Sequence, residues 1–449
     1  MTRQAIQHHL PLNEFSDADG RRDLNIGKRQ NSVAPQDRPI HDWYRFVLSF
    51  PPHLVREYIE DFGLANGATV LDPFCGTGTT VVEAKLQGLN SIGIEANLFP
   101  HFASCVKTDW SMNPSSLAEK AAEIAKNTQR ILSDQGLSDP MSDGSASLPL
   151  RKLPEAATKT LIKNSISPLP LHRTLVLLEQ ISKFHHCEEH GHFILALGNA
   201  LVNEIGNLRF GPEVGVGKIK TDVPVTDIWK NQVRKMADDL RKVQGADYPN
   251  SKVHLADARD LGSTLEPFSV DAVITSPPYP NEKDYTRTTR LESVILGFYA
   301  DMAQLRRVKK TLLRSNTRGI YTSDNDDKWV SGHTRIQQIA EKIEQRRIQL
   351  GKTSGFEKLY SRATKLYFGG MARHFALLRH VLKPGARLAY VVGDQASYLQ
   401  VMIRTGELLA EIAQDLGYQL IRIDLFRTRF ATATQRELRE EVVVLKWPG

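Results

Sequence analysis

Apolar and polar residues along the chain follow the pattern of an α/β protein. Between Pro51 and Phe62 the apolar residues recur at helical spacing, and a short apolar run at 69–72 then ends in an acid. A glycine-rich turn, a helical segment at 80–87 and a second apolar run at 91–95 follow. This order predicts a strand–helix–strand unit of a parallel sheet.

The same rhythm returns in the second half of the chain. Strands are predicted at 252–255, 270–274 and 387–392, where apolar runs are bounded by turn residues. The segments 418–426 and 441–447 have the pattern of an antiparallel hairpin that closes the sheet.

Three other segments interrupt or precede this pattern. Residues 1–38 are polar without periodicity and predict a flexible arm. Residues 110–249 predict a mainly helical insertion, and residues 305–365 predict a second, basic insertion. The sheet-forming domain is then assembled from the three segments 39–109, 250–304 and 366–449.

The first predicted strand ends in a loop with the sequence Asp72-Pro73-Phe74-Cys75-Gly76-Thr77-Gly78-Thr79. Its glycines remove side chains where a ligand approaches the backbone, and the next helix offers free N–H groups. Val81 stands where a dinucleotide-binding fingerprint has its third glycine, and Asp72 would repel a pyrophosphate. Glu95, at the end of the second strand, can bind ribose hydroxyls. The loop therefore predicts a site for a nucleoside that carries a cationic group.

A third contact with this ligand is predicted at Asp257 and Ala258, directly after the strand at 252–255. A carboxylate at this strand end can accept a hydrogen bond from an adenine amino group. An aspartate that only caps a turn is the alternative interpretation.

The strand at 270–274 leads into a second loop, Thr275-Ser276-Pro277-Pro278-Tyr279. Prolines have no N–H and cannot continue a central strand, so the chain leaves the sheet rigidly here. We expect Ser276 Oγ and the Pro277 carbonyl to serve as acceptors and Tyr279 as a stacking surface. Two fixed acceptors can direct the lone pair of an exocyclic amine toward a methyl donor. A base in a duplex reaches such a loop only when it is flipped out.

The two loops together resemble the motifs of the DNA amino-methyltransferase family, which modifies cytosine N4 or adenine N6. The resemblance implies a Rossmann-like class I methyltransferase fold, with a mostly parallel seven-stranded sheet, a C-terminal antiparallel hairpin and helical insertions. It also implies S-adenosylmethionine as the cofactor, bound by the glycine-rich loop and by an earlier segment with Tyr44, Ser49, Phe50 and Pro51. Serine at position 276 is typical of cytosine-N4 enzymes, whereas adenine-N6 enzymes more often carry Asp or Asn.

The charge distribution favours a nucleic-acid partner. The net charge is +7, and residues 305–365 contain fifteen Lys and Arg against six acids. A solvated helix face is the alternative interpretation of this charge run. The candidates for phosphate contact are Arg287, Arg306, Arg307, Lys309, Lys310 and Arg314. The predicted partner is double-stranded DNA, with a cognate restriction or defence-system protein as a further partner.

The remaining features concern the cellular setting. Three scattered cysteines and the lack of a run of about 18 apolar residues predict a cytoplasmic, nucleoid-associated protein without a membrane role. A His/Cys cluster at 185–192 lacks a second pair of ligands, so no metal is expected. Two alternatives stay open: methylation of adenine in DNA or of RNA, and a nucleic-acid-binding protein on the same fold that has lost catalysis.

Overall fold

The computed structural model describes residues 33–46, 49–137, 149–211, 213–281, 283–431 and 436–449. The strands of these residues are β1 (Thr69–Asp72), β2 (Asn90–Glu95), β3 (Leu208–Arg209), β4 (Gly215–Val216), β5 (Ser251–Leu255), β6 (Val270–Thr275), β7 (Leu382–Gly393), β8 (Gln419–Ala431) and β9 (Arg436–Lys446).

A seven-stranded sheet with the order β5-β2-β1-β6-β7-β9-β8 forms the centre of the molecule. Strands β5, β2, β1, β6 and β7 are parallel, whereas β9 is antiparallel to both β7 and β8. This arrangement confirms the predicted Rossmann-like class I sheet with its C-terminal hairpin. The glycine-rich loop and the proline loop leave the sheet at the carboxyl ends of the adjacent strands β1 and β6, where open α/β sheets bind ligands.

Helices cover both faces of the sheet and fill the two insertions. They are α1 (Pro52–Asp61), α2 (Thr79–Leu86), α3 (Leu98–Thr108), α4 (Pro114–Asp134), α5 (Glu155–Thr160), α6 (Pro168–Ser182), α7 (His190–Ala200), α8 (Val225–Val243), α9 (Tyr285–Thr288), α10 (Arg290–Ile295), α11 (Met302–Thr311), α12 (Thr334–Gln349), α13 (Tyr360–Leu378) and α14 (Thr405–Asp415). No helix in the described part of the chain combines the length and the apolar character needed to span a membrane.

The central strands are apolar because both of their faces are covered. Val70 of β1 belongs to a buried cluster with Leu54 of α1, on one side of the sheet. Leu71, the next residue, belongs to a cluster with Phe375 of α13 and Leu408 of α14, on the other side. Full burial of an aliphatic or aromatic side chain stabilises the fold by roughly 1.5–3 kcal/mol. The apolar run of β1 thus reflects a central parallel strand.

The segment 110–249 contains α4 to α8 and the two-residue strands β3 and β4. Trp229 of α8 is fully buried there, and its indole Nε1 donates to the Phe193 carbonyl of α7 at 2.9 Å. The same buried cluster includes Phe99 of α3. These helices therefore pack directly against the sheet-forming part of the chain.

The N-terminal segment requires a correction at its end. Residues 1–32 of the predicted arm lie outside the described residues, but residues 33–38 do not behave as a flexible arm. Pro35–Asp37 form a 3-10 turn, and the buried carboxylate of Asp37 accepts a hydrogen bond from Arg56 of α1 at 2.8 Å. Arg56 also donates to Glu83 of α2 at 2.8 Å. Charged contacts thus fix this turn to the sheet-forming part, which the polar sequence alone did not reveal.

Candidate active site

The glycine-rich loop turns sharply between β1 and α2. Gly78 has φ +85°, and a Cβ there would lie 2.8 Å from Ser104 Oγ, so only glycine fits. Gly76 has φ +52°, and no atom lies within 4 Å of the position its Cβ would take. Gly76 lines the cavity described next, so its backbone is open to a bound molecule.

One cavity of about 640 Å³ lies between the glycine-rich loop and the proline loop. The predicted cofactor residues that line it are Ser49, Phe50, Pro51, Pro73, Phe74, Gly76, Thr79, Glu95, Asp257 and Ala258. The predicted catalytic residues Ser276, Pro277, Pro278 and Tyr279 line the same cavity. The structure therefore brings both predicted loops to one cleft.

Three predicted cofactor residues, Tyr44, Asp72 and Gly78, are not among the residues that line the cavity. Tyr44 is buried and donates through its hydroxyl to Glu292 at 2.5 Å. Asp72 is also buried, and its Oδ1 accepts hydrogen bonds from the Thr275 hydroxyl at 2.5 Å and the Phe74 N–H at 3.0 Å. The structure does not place these three residues in the cavity wall, so the lining does not support their predicted direct contact with the cofactor. Asp72 ties the end of β1 to the end of β6 through Thr275.

Two buried carboxyl groups belong to the glycine side: Glu95 lines the cavity, and Asp72 lies at the end of β1. Burial raises the pKa of Asp72 to about 6 and that of Glu95 to about 7. Glu95 accepts hydrogen bonds from the N–H groups of Gly76 at 2.9 Å and Asn97 at 2.7 Å. Asp72 Oδ2 is buried and has no hydrogen-bond partner among the described residues. A ligand with a sulfonium and an ammonium group fits such a surrounding, because it supplies the missing positive charge.

Asp257 lines the cavity while its carboxylate is also bound to Arg259, with Nη2 2.7 Å from Oδ2. Arg259 is almost fully buried and bonds Asp326 through Nη1 at 2.5 Å. This ion pair fixes the orientation of Asp257. It also joins the end of β5 to the basic insertion, since Asp326 lies in that insertion.

The proline loop presents its polar groups in fixed orientations. The Ser276 hydroxyl donates to the Val391 carbonyl of β7 at 3.0 Å, so its oxygen lone pairs are left to accept. The Tyr279 N–H donates to the hydroxyl of Tyr285 at 3.3 Å. Burial raises the pKa of the Tyr279 hydroxyl, so the side chain keeps its proton and is uncharged at physiological pH. An acceptor and a neutral aromatic ring thus share one wall of the cavity.

Glycine at the end of β7 lets Tyr279 pack closely. A Cβ on Gly393 would lie 3.0 Å from the Tyr279 ring and 3.3 Å from Glu440 Cγ. Tyr285 lies beside Tyr279 and stacks on Phe46, with ring centres 6.0 Å apart and planes 22° apart. Phe46 lines the cavity as well. Several aromatic rings are therefore available to a planar ligand.

Sequence reasoning gave several cavity-lining residues no site role. They come from the segment after the proline loop, from the basic insertion and from the C-terminal hairpin: Asn281, Lys283, Ser315, Asn316, Arg427, Arg429 and Glu440. Arg427 and Arg429 lie beyond the predicted strand 418–426, and only the longer observed strand β8 places both on one side of the hairpin. Nothing local in the sequence shows which side that is.

The predicted phosphate contacts differ in how far they are exposed. Arg306, Arg307 and Lys310 are exposed. Lys309 lines the cavity, where it pairs with Asp284 at 2.6 Å. Arg287 is partly buried and donates to a backbone carbonyl at 3.2 Å.

Arg314 requires a correction. Only 4% of its side chain is exposed, and Asp324 accepts hydrogen bonds from its Nε and Nη2, each at 2.8 Å. The Lys310 carbonyl accepts another from Nη2 at 3.0 Å. Arg314 also lines the cavity. Because its donors are committed in this way, it holds the backbone of its own insertion and is not exposed for the predicted surface contact with DNA.

Comparison with known proteins adds independent information. The family model described as "DNA methylase", for N6 and N4 enzymes, matches residues 20–100. The Type II methyltransferase M.BsoBI of Geobacillus stearothermophilus is 26% identical over 449 residues, covering 90% of this chain and 83% of the relative. The Type II methyltransferase M.AvaI of Nostoc sp. is 23% identical over 424 residues, covering 90% and 84%. The solved structure of TrmN from Thermus thermophilus is 12% identical and covers 93% of this chain and 54% of its own, with a TM-score of 0.30, too low to support a comparison.

The sheet order and the cleft between β1 and β6 define a class I methyltransferase, and S-adenosylmethionine is its cofactor. Within that class, the matching family model and the two relatives support the N4/N6 family of DNA amino-methyltransferases. The residues present fit this cofactor, because the open backbone at Gly76 lies beside the buried acids Glu95 and Asp72.

Proposed function

We propose that the chain methylates the N4 amine of cytosine in double-stranded DNA, on a base flipped out of the helix. The observation that carries this proposal is the hydrogen bond from Ser276 to the Val391 carbonyl. Because that bond uses the hydroxyl hydrogen and Ser276 lines the cavity, its Oγ can act there only as an acceptor. An exocyclic amine needs such an acceptor if its lone pair is to turn out of the ring plane.

In the proposed reaction, Ser276 Oγ and the Pro277 carbonyl accept the two amine hydrogens, and Tyr279 stacks on the base. S-adenosylmethionine supplies the methyl group when it is bound at the glycine-rich loop. Transfer would form the N–C bond as the S–C bond breaks, leave S-adenosylhomocysteine, and release one amine proton to solvent. Fixed acceptors stabilise the positive charge that grows on the nitrogen, without reorganisation during the step. Stacking of a flipped base on an aromatic ring contributes about 1–3 kcal/mol.

The choice of cytosine rests on serine at position 276, because adenine-N6 enzymes of the family more often carry Asp or Asn there. The names of the two relatives as Type II methyltransferases support a role in restriction and modification. The assignment of the sheet-forming segments as a catalytic domain is part of the same proposal. So is phosphate contact by the exposed residues Arg306, Arg307 and Lys310 of the basic insertion.

The test is mass spectrometry of nucleosides from DNA of cells that express the protein. We expect N4-methylcytosine from the wild type and a loss of about 10²–10³ in rate for Ser276→Ala, as for removal of one donor or acceptor at a transition state. Ser263→Ala, at an exposed serine outside the cavity, is the matched control. N6-methyladenine as the product would refute the choice of base. An active Ser276→Ala enzyme would refute the role of the hydroxyl.

A further inference from the structure

The C-terminal hairpin contributes a charged surface to the cavity. Arg427 and Arg429 of β8 line it, and so do Leu438 and Glu440 of β9. Residues two apart in a strand point to the same side, which explains why both arginines reach the cavity. In the strand register Arg427 lies opposite Glu440, and Arg429 lies opposite Leu438.

A single carboxylate orients both arginines. Glu440 is 5% exposed and forms ion pairs with Arg427 and, at 3.2 Å, with Arg429 Nε. One acid neutralises one positive charge, so the pair keeps a net charge of +1. A guanidinium has five N–H donors, and a bond to Glu440 leaves others available. The Arg429 side chain is 45% exposed, so an incoming group can reach it.

Lys283 adds a third cation to this side of the cavity. It lies four residues after Tyr279 and lines the same cavity. Burial lowers the pKa of Lys283, and the positive charge of Arg429 lowers it further, as expected for two cations held near each other. The cluster of Lys283, Arg427 and Arg429 thus carries two more positive charges than Glu440 can balance.

We propose that Lys283, Arg427 and Arg429 bind a DNA backbone phosphate beside the flipped nucleotide. A base that enters the cavity remains joined to its sugar and phosphates, so anionic oxygens must lie close to the wall around Tyr279. Arginine binds phosphate through paired N–H donors, and phosphate contacts fix the register of a protein on DNA. This inference rests on the proposed function only in requiring that a DNA base occupies this cavity.

The test is the salt dependence of DNA binding. A labelled duplex of mixed sequence is titrated with wild type, Arg429→Gln, Lys283→Gln and the control Lys235→Gln, in the presence of S-adenosylhomocysteine, between 50 and 200 mM salt. Lys235 is exposed on α8 and outside the cavity. We expect each cluster variant to bind about 3- to 10-fold more weakly, with a salt slope smaller by about 1, because one phosphate contact is lost. The Arg429→Lys variant should restore most of the slope.

A purely structural role for the arginines predicts a different result. If Arg429→Gln and Lys283→Gln keep the affinity and slope of wild type and of Lys235→Gln, the inference is wrong, even when cytosine is still methylated. Failure of the wild type to bind DNA would also overturn it. Formation of N6-methyladenine would instead refute only the proposed base, and it would leave a weakened cluster variant as support for the phosphate site.

Discussion

At the scale of single residues, the proposed methyl transfer depends on polar side chains that are already hydrogen-bonded within the protein. The Ser276 hydroxyl gives its hydrogen to Val391, and the Asp72 carboxylate receives one from Thr275. The first bond turns an ambivalent hydroxyl into an acceptor. The second holds the ends of β1 and β6 together below the cavity. Each of these hydrogen bonds joins two strands that are distant in the sequence, so neither bond can be predicted from one sequence segment.

Cofactor binding should weaken as the pH falls. The pKa of Glu95 is about 7 and that of Asp72 about 6, both raised by burial, and a cationic ligand favours the ionised acids. Below pH 7 a protonated Glu95 must lose its proton on binding. The Kd for S-adenosylmethionine should therefore be constant above about pH 8 and rise toward tenfold per pH unit below 7. Calorimetry across this range measures it.

The variant Glu95→Gln separates the two acids. It should bind the cofactor more weakly at pH 8 and lose the dependence between pH 8 and 7, while the later rise below pH 6 from Asp72 stays. A Glu95→Gln protein with the wild-type pH profile would show that another group titrates.

Gly393→Ala should impair catalysis without unfolding the protein. The added Cβ would lie 3.0 Å from the Tyr279 ring, so the ring must shift from its place in the cavity wall. We expect a fall in kcat/KM for DNA of roughly tenfold, since misplaced stacking of about 1.4 kcal/mol has that effect. Gly262→Ala is the control, because no atom lies within 4 Å of its Cβ position. Equal activity of the two variants would contradict the role of this contact.

At the scale of elements, local patterns predicted the strands but not what their ends contact. The runs at 69–72 and 270–274 predicted β1 and β6 closely, because central parallel strands are continuous apolar segments. The predicted strand at 387–392 begins earlier, at Leu382, across a register irregularity opposite Val270 and Ala272. Such an irregularity arises from pairing between distant segments, so sequence periodicity cannot show it.

The basic insertion is the element where sequence reasoning was weakest. Its charge run was visible, yet Arg314 is buried against Asp324 while Arg306 and Lys310 are exposed. Arg314, Arg306 and Lys310 belong to the same basic run, so charge composition cannot tell them apart. The fold around each side chain decides whether it is buried. For the same reason the hairpin residue Arg429 was missed although it lines the cavity.

Gly369→Ala should destabilise the protein although alanine favours helices. Gly369 lies in α13, and a Cβ there would lie 2.0 Å from the carbonyl oxygen of Asp326, a backbone atom of the basic insertion. The gain in helix propensity is about 1 kcal/mol, whereas forcing the backbones apart costs about 1–3 kcal/mol or more. We expect a lower Tm in calorimetry. A higher Tm would show that the insertion does not press on α13.

At the scale of the whole molecule, the cleft separates charge. The buried acids Glu95 and Asp72 lie on the side of the glycine-rich loop. The cations Lys283 and Arg429 lie on the side of the C-terminal hairpin. Such a distribution would suit the proposed cationic cofactor at one wall and an anionic DNA strand at the other. The fold class and the two loops were predictable from local motifs. The separation of charge was not, because it combines segments more than 300 residues apart.

The most direct test of the account is a crystal structure of the protein with S-adenosylhomocysteine and a duplex containing its methylation site. We predict a flipped cytosine whose N4 lies within hydrogen-bond distance of Ser276 Oγ and the Pro277 carbonyl, with the cofactor sulfur over Gly76 and directed at that nitrogen. A cofactor or target base found outside the cleft between these two loops would contradict the account.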